Sequence, residues 1–109
     1  MVFEPNPDGR LDSESIVHGC IESGHEAILL EGDRVGLEFF DLRSGVAGEL
    51  LHRLSLYRLR MGVVLPNVAA HGERFEEFAR EANRGQLCRF LGTREEALVW
   101  LQERGASGA

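Results

Sequence analysis

Three short apolar runs, Ala27-Ile28-Leu29-Leu30, Met61-Gly62-Val63-Val64-Leu65 and Leu87 to Leu91, are separated by segments whose apolar residues recur at helical spacing. This alternation constrains the fold more than any other feature. A short continuous apolar run bounded by charged residues, glycine or proline suits a strand buried on both faces. Between the runs, Ile16, Val17, Cys20 and Ile21 follow a helix start at Asp12 or Ser13 and precede a stop at Gly24. Val46, Ala47, Leu50, Leu51 and Leu54 form a second stripe. Phe75, Phe78, Ala79 and Ala82 form a third, with Gly85 expected as its C-terminal cap. Thr93-Arg94-Glu95-Glu96 reads as a capping box opening a last helix, with Ala97, Leu98, Trp100 and Leu101 inward. Strands alternating with helices over short links predict β-α-β units, hence an α/β fold with a small, mostly parallel sheet. Val2 and Phe3 add a short edge strand, and Arg89 marks the Leu87–Leu91 run as an edge or a face open to water. The predicted core is Ile28, Leu30, Val46, Leu50, Leu54, Val63, Phe75, Phe78 and Leu101.

A chain of 109 residues predicts one domain. Its expected limits are residues 11–104, after an N-terminal arm over 1–10 with Pro5, Pro7 and the turn pair Asp8-Gly9. A small-residue, flexible tail over 105–109 follows. A net charge of −6 argues against nucleic-acid binding, which needs a basic patch for the phosphate backbone. No apolar run approaches the ~20 residues of a membrane helix, and Met1 to Arg10 holds no signal-peptide core. The expectation is a cytoplasmic chain with no membrane contact. Cys20 and Cys88 stand far apart with no C-x-x-C, so free buried thiols are expected rather than a disulfide. All the basic side chains are arginine, whose planar guanidinium forms bidentate carboxylate pairs.

The chemistry-bearing residues form no strong motif. His18, His25, His52 and His71 share no metal-ligand spacing, so no metal site is expected. Gly45 and Gly48 fit neither a phosphate loop nor a dinucleotide fingerprint, and no cofactor is expected. One reading gives Gly45 a tight turn and Gly48 close helix packing. The other has Ser44 and neighbouring backbone N–H groups making an anion or partner contact at a helix N-terminus. Arg43, Glu49, Arg53, Arg58, Arg60, Glu81, Asn83 and Arg84 read mostly as a solvated face with weak ion pairs. Tyr57 is placed to anchor the corner between the second helix and second strand through its hydroxyl. The candidate partner- or ligand-binding residues are Asp41, Arg43, Ser44, Glu49, His52, Tyr57, Arg58, Asn83 and Arg84. In a parallel sheet the Leu42–Gly45 and Asn83–Gly85 segments lie at opposite edges unless a connecting loop folds over, so a single site is not assured.

The stretches F-F-D-L-R-S-G-V-A-G-E-L-L-H-R, L-Y-R-L-R-M-G-V-V and F-x-x-F-A-R-E-A-N-R-G occur here in order. With them the chain closely resembles the bacterial family called domain of unknown function 4180, from about Asp8 to Gln102. Members usually carry Gln-Lys where this chain has His52-Arg53 and Gly-Asp where it has Leu65-Pro66. An opening hairpin common in the family looks shortened to Met1–Arg10. An uncovered sheet edge invites pairing with another chain, so a homodimer is expected. The family brings no assigned activity. A second, weaker resemblance joins Ser44-Gly45-Val46-Ala47 to the D-S-S-G-L turn of sulfate-transporter/anti-sigma-antagonist domains. It implies their fold, small and acidic α/β, and a partner-binding role. Ser44 falls on the second serine of that turn and Arg43 on the phosphorylated one.

Two functions follow as expectations. One is a non-enzymatic regulatory or protein-interaction domain that recognises a protein partner through Arg43–Glu49. The other is a small enzyme or small-molecule binder of a specialised pathway, with Glu49, His52 or Glu81 as acid–base groups in a pocket at the strand C-termini.

Overall fold

Strand and helix alternate along the whole of the described chain, which in this computed structural model comprises residues 2–5, 13–32 and 37–102. The expectations for the Asp8-Gly9 turn, Asp12 and the 105–109 tail lie outside those residues. The elements are β1 (Val2–Phe3), α1 (Ser13–Glu22), β2 (Ala27–Glu31), α2 (Leu37–Phe40) and α3 (Val46–Tyr57). They continue with β3 (Arg60–Val64), α4 (Glu73–Ala82), β4 (Cys88–Leu91) and α5 (Arg94–Gln102). Two 3-10 turns, Leu42–Ser44 and Val68–His71, precede α3 and α4. The four strands form one sheet in the order β1-β2-β3-β4, and every pair is parallel. The α/β class with a parallel sheet is therefore what the structure shows. No helix among the described residues is long and apolar enough to cross a membrane.

Side chains alternate across a strand, so each strand feeds two cores. Ile28, Leu30, Met61, Val63, Cys88 and Phe90 face the larger core, roofed by α1, α2, α3 and α4. Ala27, Leu29 and Val64 face the smaller one, closed by Ala97, Trp100 and Leu101 of α5. α5 lies directly over Gly62. A Cβ on it would sit 3.4 Å from the Ala97 methyl and 3.5 Å from the Leu101 side chain. At the start of α5 the Thr93 hydroxyl accepts the Glu96 N–H at 3.1 Å, the expected cap. Arg94 then forks onto Glu4 at 2.7 and 2.6 Å, tying the chain after β1 to α5. That hydrogen-bonded guanidinium holds the Glu4 carboxyl below its ordinary range.

Several expectations need correction. Ile21 is 45 % exposed rather than inward, because it lies in the last turn of α1, rotated away from the buried Ile16, Val17 and Cys20. Val46 and Phe78 are half-buried, not fully buried. Val46 opens α3, and α4 covers the edge strand β4, so the flank of Phe78 has no neighbouring element among the described residues. Gly48 does not serve close packing among the described residues, since none of them lies within 4 Å of where its Cβ would be. Gly85 is not a left-handed cap. The end of α4 tightens instead into 3-10 bonds, Arg84 N–H to Glu81 at 3.1 Å and Gly85 N–H to Ala82 at 3.0 Å. Arg60 leaves the solvated face altogether: it is 8 % exposed, beneath α5.

Candidate functional site

Two connections meet beyond the carboxyl ends of β2 and β3. One is the end of α2 with the Leu42–Ser44 turn; the other is the Val68–His71 turn with the first turn of α4. Between them opens a cleft of about 450 Å³ lined by Phe40, Asp41, Leu42, Arg43, His71, Gly72, Glu73, Arg74 and Phe75. Its volume is that of a small-ligand pocket or of a groove for a few residues of a partner.

The floor is aromatic. The His71 imidazole stacks on Phe40 with centroids 3.8 Å apart and planes 11° from parallel. Phe75, buried in the main core, meets Phe40 edge-on at 5.0 Å and His71 at 5.8 Å. Phe39, Phe78 and Phe90 continue the cluster beneath. The sequence segment Phe39-Phe40 thus does two jobs: Phe39 fills the core and Phe40 faces the cleft.

The rim is polar and held by its own hydrogen bonds. The Asp41 carboxylate accepts the Arg43 N–H at 3.1 Å and so caps the Leu42–Ser44 turn. The Ser44 hydroxyl donates to the Asp41 carbonyl at 2.7 Å and accepts the Val46 N–H at 3.2 Å. Gly45 then turns the chain into α3 at φ 81, a left-handed conformation that favours glycine. The backbone carrying Arg43 is fixed while its side chain is 84 % exposed, touching Asp41 at 3.5 Å. Across the cleft stand Glu73 and Arg74, at the start of α4. A guanidinium held on a fixed turn by one long contact to Asp41 and otherwise open to solvent can pair a second carboxylate and cover an apolar side chain together.

The nine sequence candidates fall into three groups. Asp41, Arg43 and Ser44 belong to the cleft and its rim. Glu49 and His52 lie further along α3, where Glu49 pairs with Arg53 at 3.2 Å and His52 is exposed. Tyr57, Arg58, Asn83 and Arg84 stand at the opposite end of the sheet. The 12 residues of α3 put about 18 Å between its two ends. Tyr57 is 51 % exposed, and its hydroxyl anchors nothing among the described residues. Glu81 pairs with Arg84 at 3.2 Å on the surface. None of Glu49, His52 and Glu81 lines the cleft. The residues that sequence reasoning missed are His71, Gly72, Glu73 and Arg74. The signal that could have found them was His71 four places before Phe75.

Asn83 has a clear task. Its side-chain oxygen accepts the Phe90 N–H at 2.8 Å, and its amide donates to the Phe90 carbonyl at 3.3 Å. It pairs with the outer edge of β4 as a strand would, closing that edge at Phe90. Asn83→Ala should cost about 1–2 kcal/mol by leaving both groups without a protein partner. Hydrogen exchange at the Phe90 amide checks this: it should speed up in Asn83→Ala and stay slower in Asn83→Asp, which keeps the acceptor. Equal exchange in all three proteins would deny Asn83 this role.

Fold and site together define a small α/β protein with one four-stranded parallel sheet and a mixed polar and aromatic cleft at the carboxyl ends of its central strands. Residues 8–101 match the family model described as Domain of unknown function (DUF4180), and the chain belongs to that family. Comparison with curated proteins and with solved structures returned no match.

Proposed function

We propose that the chain is a non-enzymatic regulatory or protein-interaction domain, working in the bacterial cytoplasm, that binds a segment of a partner protein in this cleft. The observation that carries the reading is Arg43: its backbone is pinned by Asp41 while its guanidinium projects 84 % exposed at the rim. A fixed arginine beside an aromatic floor is the composition of an interface anchor. It suits a partner segment presenting a carboxylate next to an apolar side chain. The likeness of this turn to that of anti-sigma-antagonist domains supports the same role.

Arg43→Ala is the test. As a surface substitution it should leave stability within about 0.5 kcal/mol, while quantitative capture from the native host loses the partner held by the unaltered chain. Loss of stability with the same partner retained would make Arg43 a scaffold residue and overturn the reading.

A second reading is supported by the cleft volume and the His71 ring within it: a small-molecule site, with Asp41, His71 and Glu73 as its polar groups. Metabolites recovered with the captured chain, and lost in His71→Ala, would favour this reading over the first.

A further inference from the structure

We propose that the chain forms a two-fold dimer through the neighbouring ends of α1 and α3, with Arg58 of each copy against Glu22 of the other. The two helices pack side by side over adjacent strands, with Ile16, Val17 and Cys20 of α1 sharing the core with Ala47, Leu50 and Leu54 of α3. They end at the same level, because Ala27 and Arg60, which open β2 and β3, are register partners. Both finish in the same backbone turn. His25 N–H bonds to the Cys20 carbonyl at 3.1 Å, and Leu59 N–H to the Leu54 carbonyl at 2.9 Å. Each turn closes over one left-handed residue: Gly24 at φ 76 after α1, and Arg58 at φ 57 after α3. Glycine takes that conformation without strain and arginine does not. The fold by itself therefore gives no reason for an arginine at position 58.

The surface around these turns is apolar as well. Ile21 is 45 % exposed, Leu56 62 % and Tyr57 51 %; the other large exposed hydrophobic among the described residues, Val99, sits on α5. The tyrosine and the arginine are residue types that anchor interfaces, and the aliphatic pair adds apolar area to bury.

The charges select a second copy as the occupant. Glu22 is the last residue of α1, and Arg58 directly follows Leu56 and Tyr57 at the end of α3. A two-fold axis through the middle sets each arginine against the other copy's glutamate, the self-complementary pattern of an isologous interface. Arg58 has no ion-pair partner among the described residues, and Glu22 meets the exposed His18 at 3.1 Å. The edge of β4 is a poorer route to a dimer, since Asn83 occupies it at Phe90. Three apolar side chains bury less than the ~800 Å² per partner of a standard interface, so the expected dissociation constant is on the order of 10–100 µM.

Sedimentation equilibrium across that range should show the mass rising from 12.1 kDa toward twice that value. Leu56→Glu, Arg58→Glu and Glu22→Arg should each remain monomeric, with circular dichroism confirming that these surface variants fold. The double variant Glu22→Arg with Arg58→Glu should dimerise again, because each reversed charge meets its complement. A wild-type chain that stays at 12.1 kDa throughout overturns the proposal. So does a dimer that Leu56→Glu leaves intact, or a double variant that stays monomeric.

Discussion

Phe75→Ala should destabilise the domain by about 3–5 kcal/mol, the range for deleting a fully buried aromatic ring. Phe75 is 1 % exposed and touches four other phenylalanines, so no single neighbour can move in to fill its space. For a domain of this size that is a large share of the ~5–15 kcal/mol separating folded from unfolded chain. The same ring supports the cleft floor from below, so the Phe40–His71 stack should loosen with it. Phe78→Ala, three residues on and half-buried, should cost less, since solvent already reaches one flank of its ring. Denaturant unfolding of the two variants checks both the size and the order. A Phe75→Ala loss below about 1 kcal/mol, or a larger loss for Phe78→Ala, would mean that α4 presents a different face to the sheet.

Much of the architecture is legible in the sequence because period and burial are local properties. The runs at Ala27 and Met61 are apolar at every position, which requires cover on both faces, and the helices supply it. Arg89 was a correct sign of the edge: β4 is the last strand, and its arginine lies on the face that α5 alone covers. The cleft was not legible, for a physical reason. Its walls come from residues 40–43 and 71–75, two β-α connections whose meeting depends on β2 and β3 being neighbours. Periodicity within either connection carries no trace of that adjacency. The sequence did separate the Leu42–Gly45 and Asn83–Gly85 segments, because connection polarity in a parallel sheet fixes which loops share an end. Arg60 misled for the opposite reason. A charged residue beside an apolar run reads as the point where the strand reaches water, yet this one continues the strand under a helix.

Arg60→Ala should cost about 2–4 kcal/mol, combining a desolvated cation–π contact, charge-assisted hydrogen bonds and the packing of its stem. Its guanidinium carbon lies 4.1 Å from the centroid of the Trp100 ring, while Arg89 approaches the same ring at 5.2 Å. Arg60 Nε donates to the Gln86 carbonyl at 3.0 Å and a terminal nitrogen donates to the Gln86 side-chain oxygen at 3.4 Å. One buried side chain thereby joins the start of β3, the loop before β4 and the underside of α5. Trp100 is the chain's single tryptophan and is 5 % exposed, so its fluorescence reports directly on this contact. Removing the arginine to Cβ should open the indole to water and shift its emission to the red as stability falls. Arg60→Met separates the contributions, because it restores the stem without charge or donors. If the cation and its hydrogen bonds dominate, Met should recover less than half of the loss. If Met recovers nearly all of it, the arginine acts mainly as a packed hydrocarbon. A loss under about 1 kcal/mol in Arg60→Ala with unchanged emission would remove Arg60 from the residues that hold α5 on the sheet.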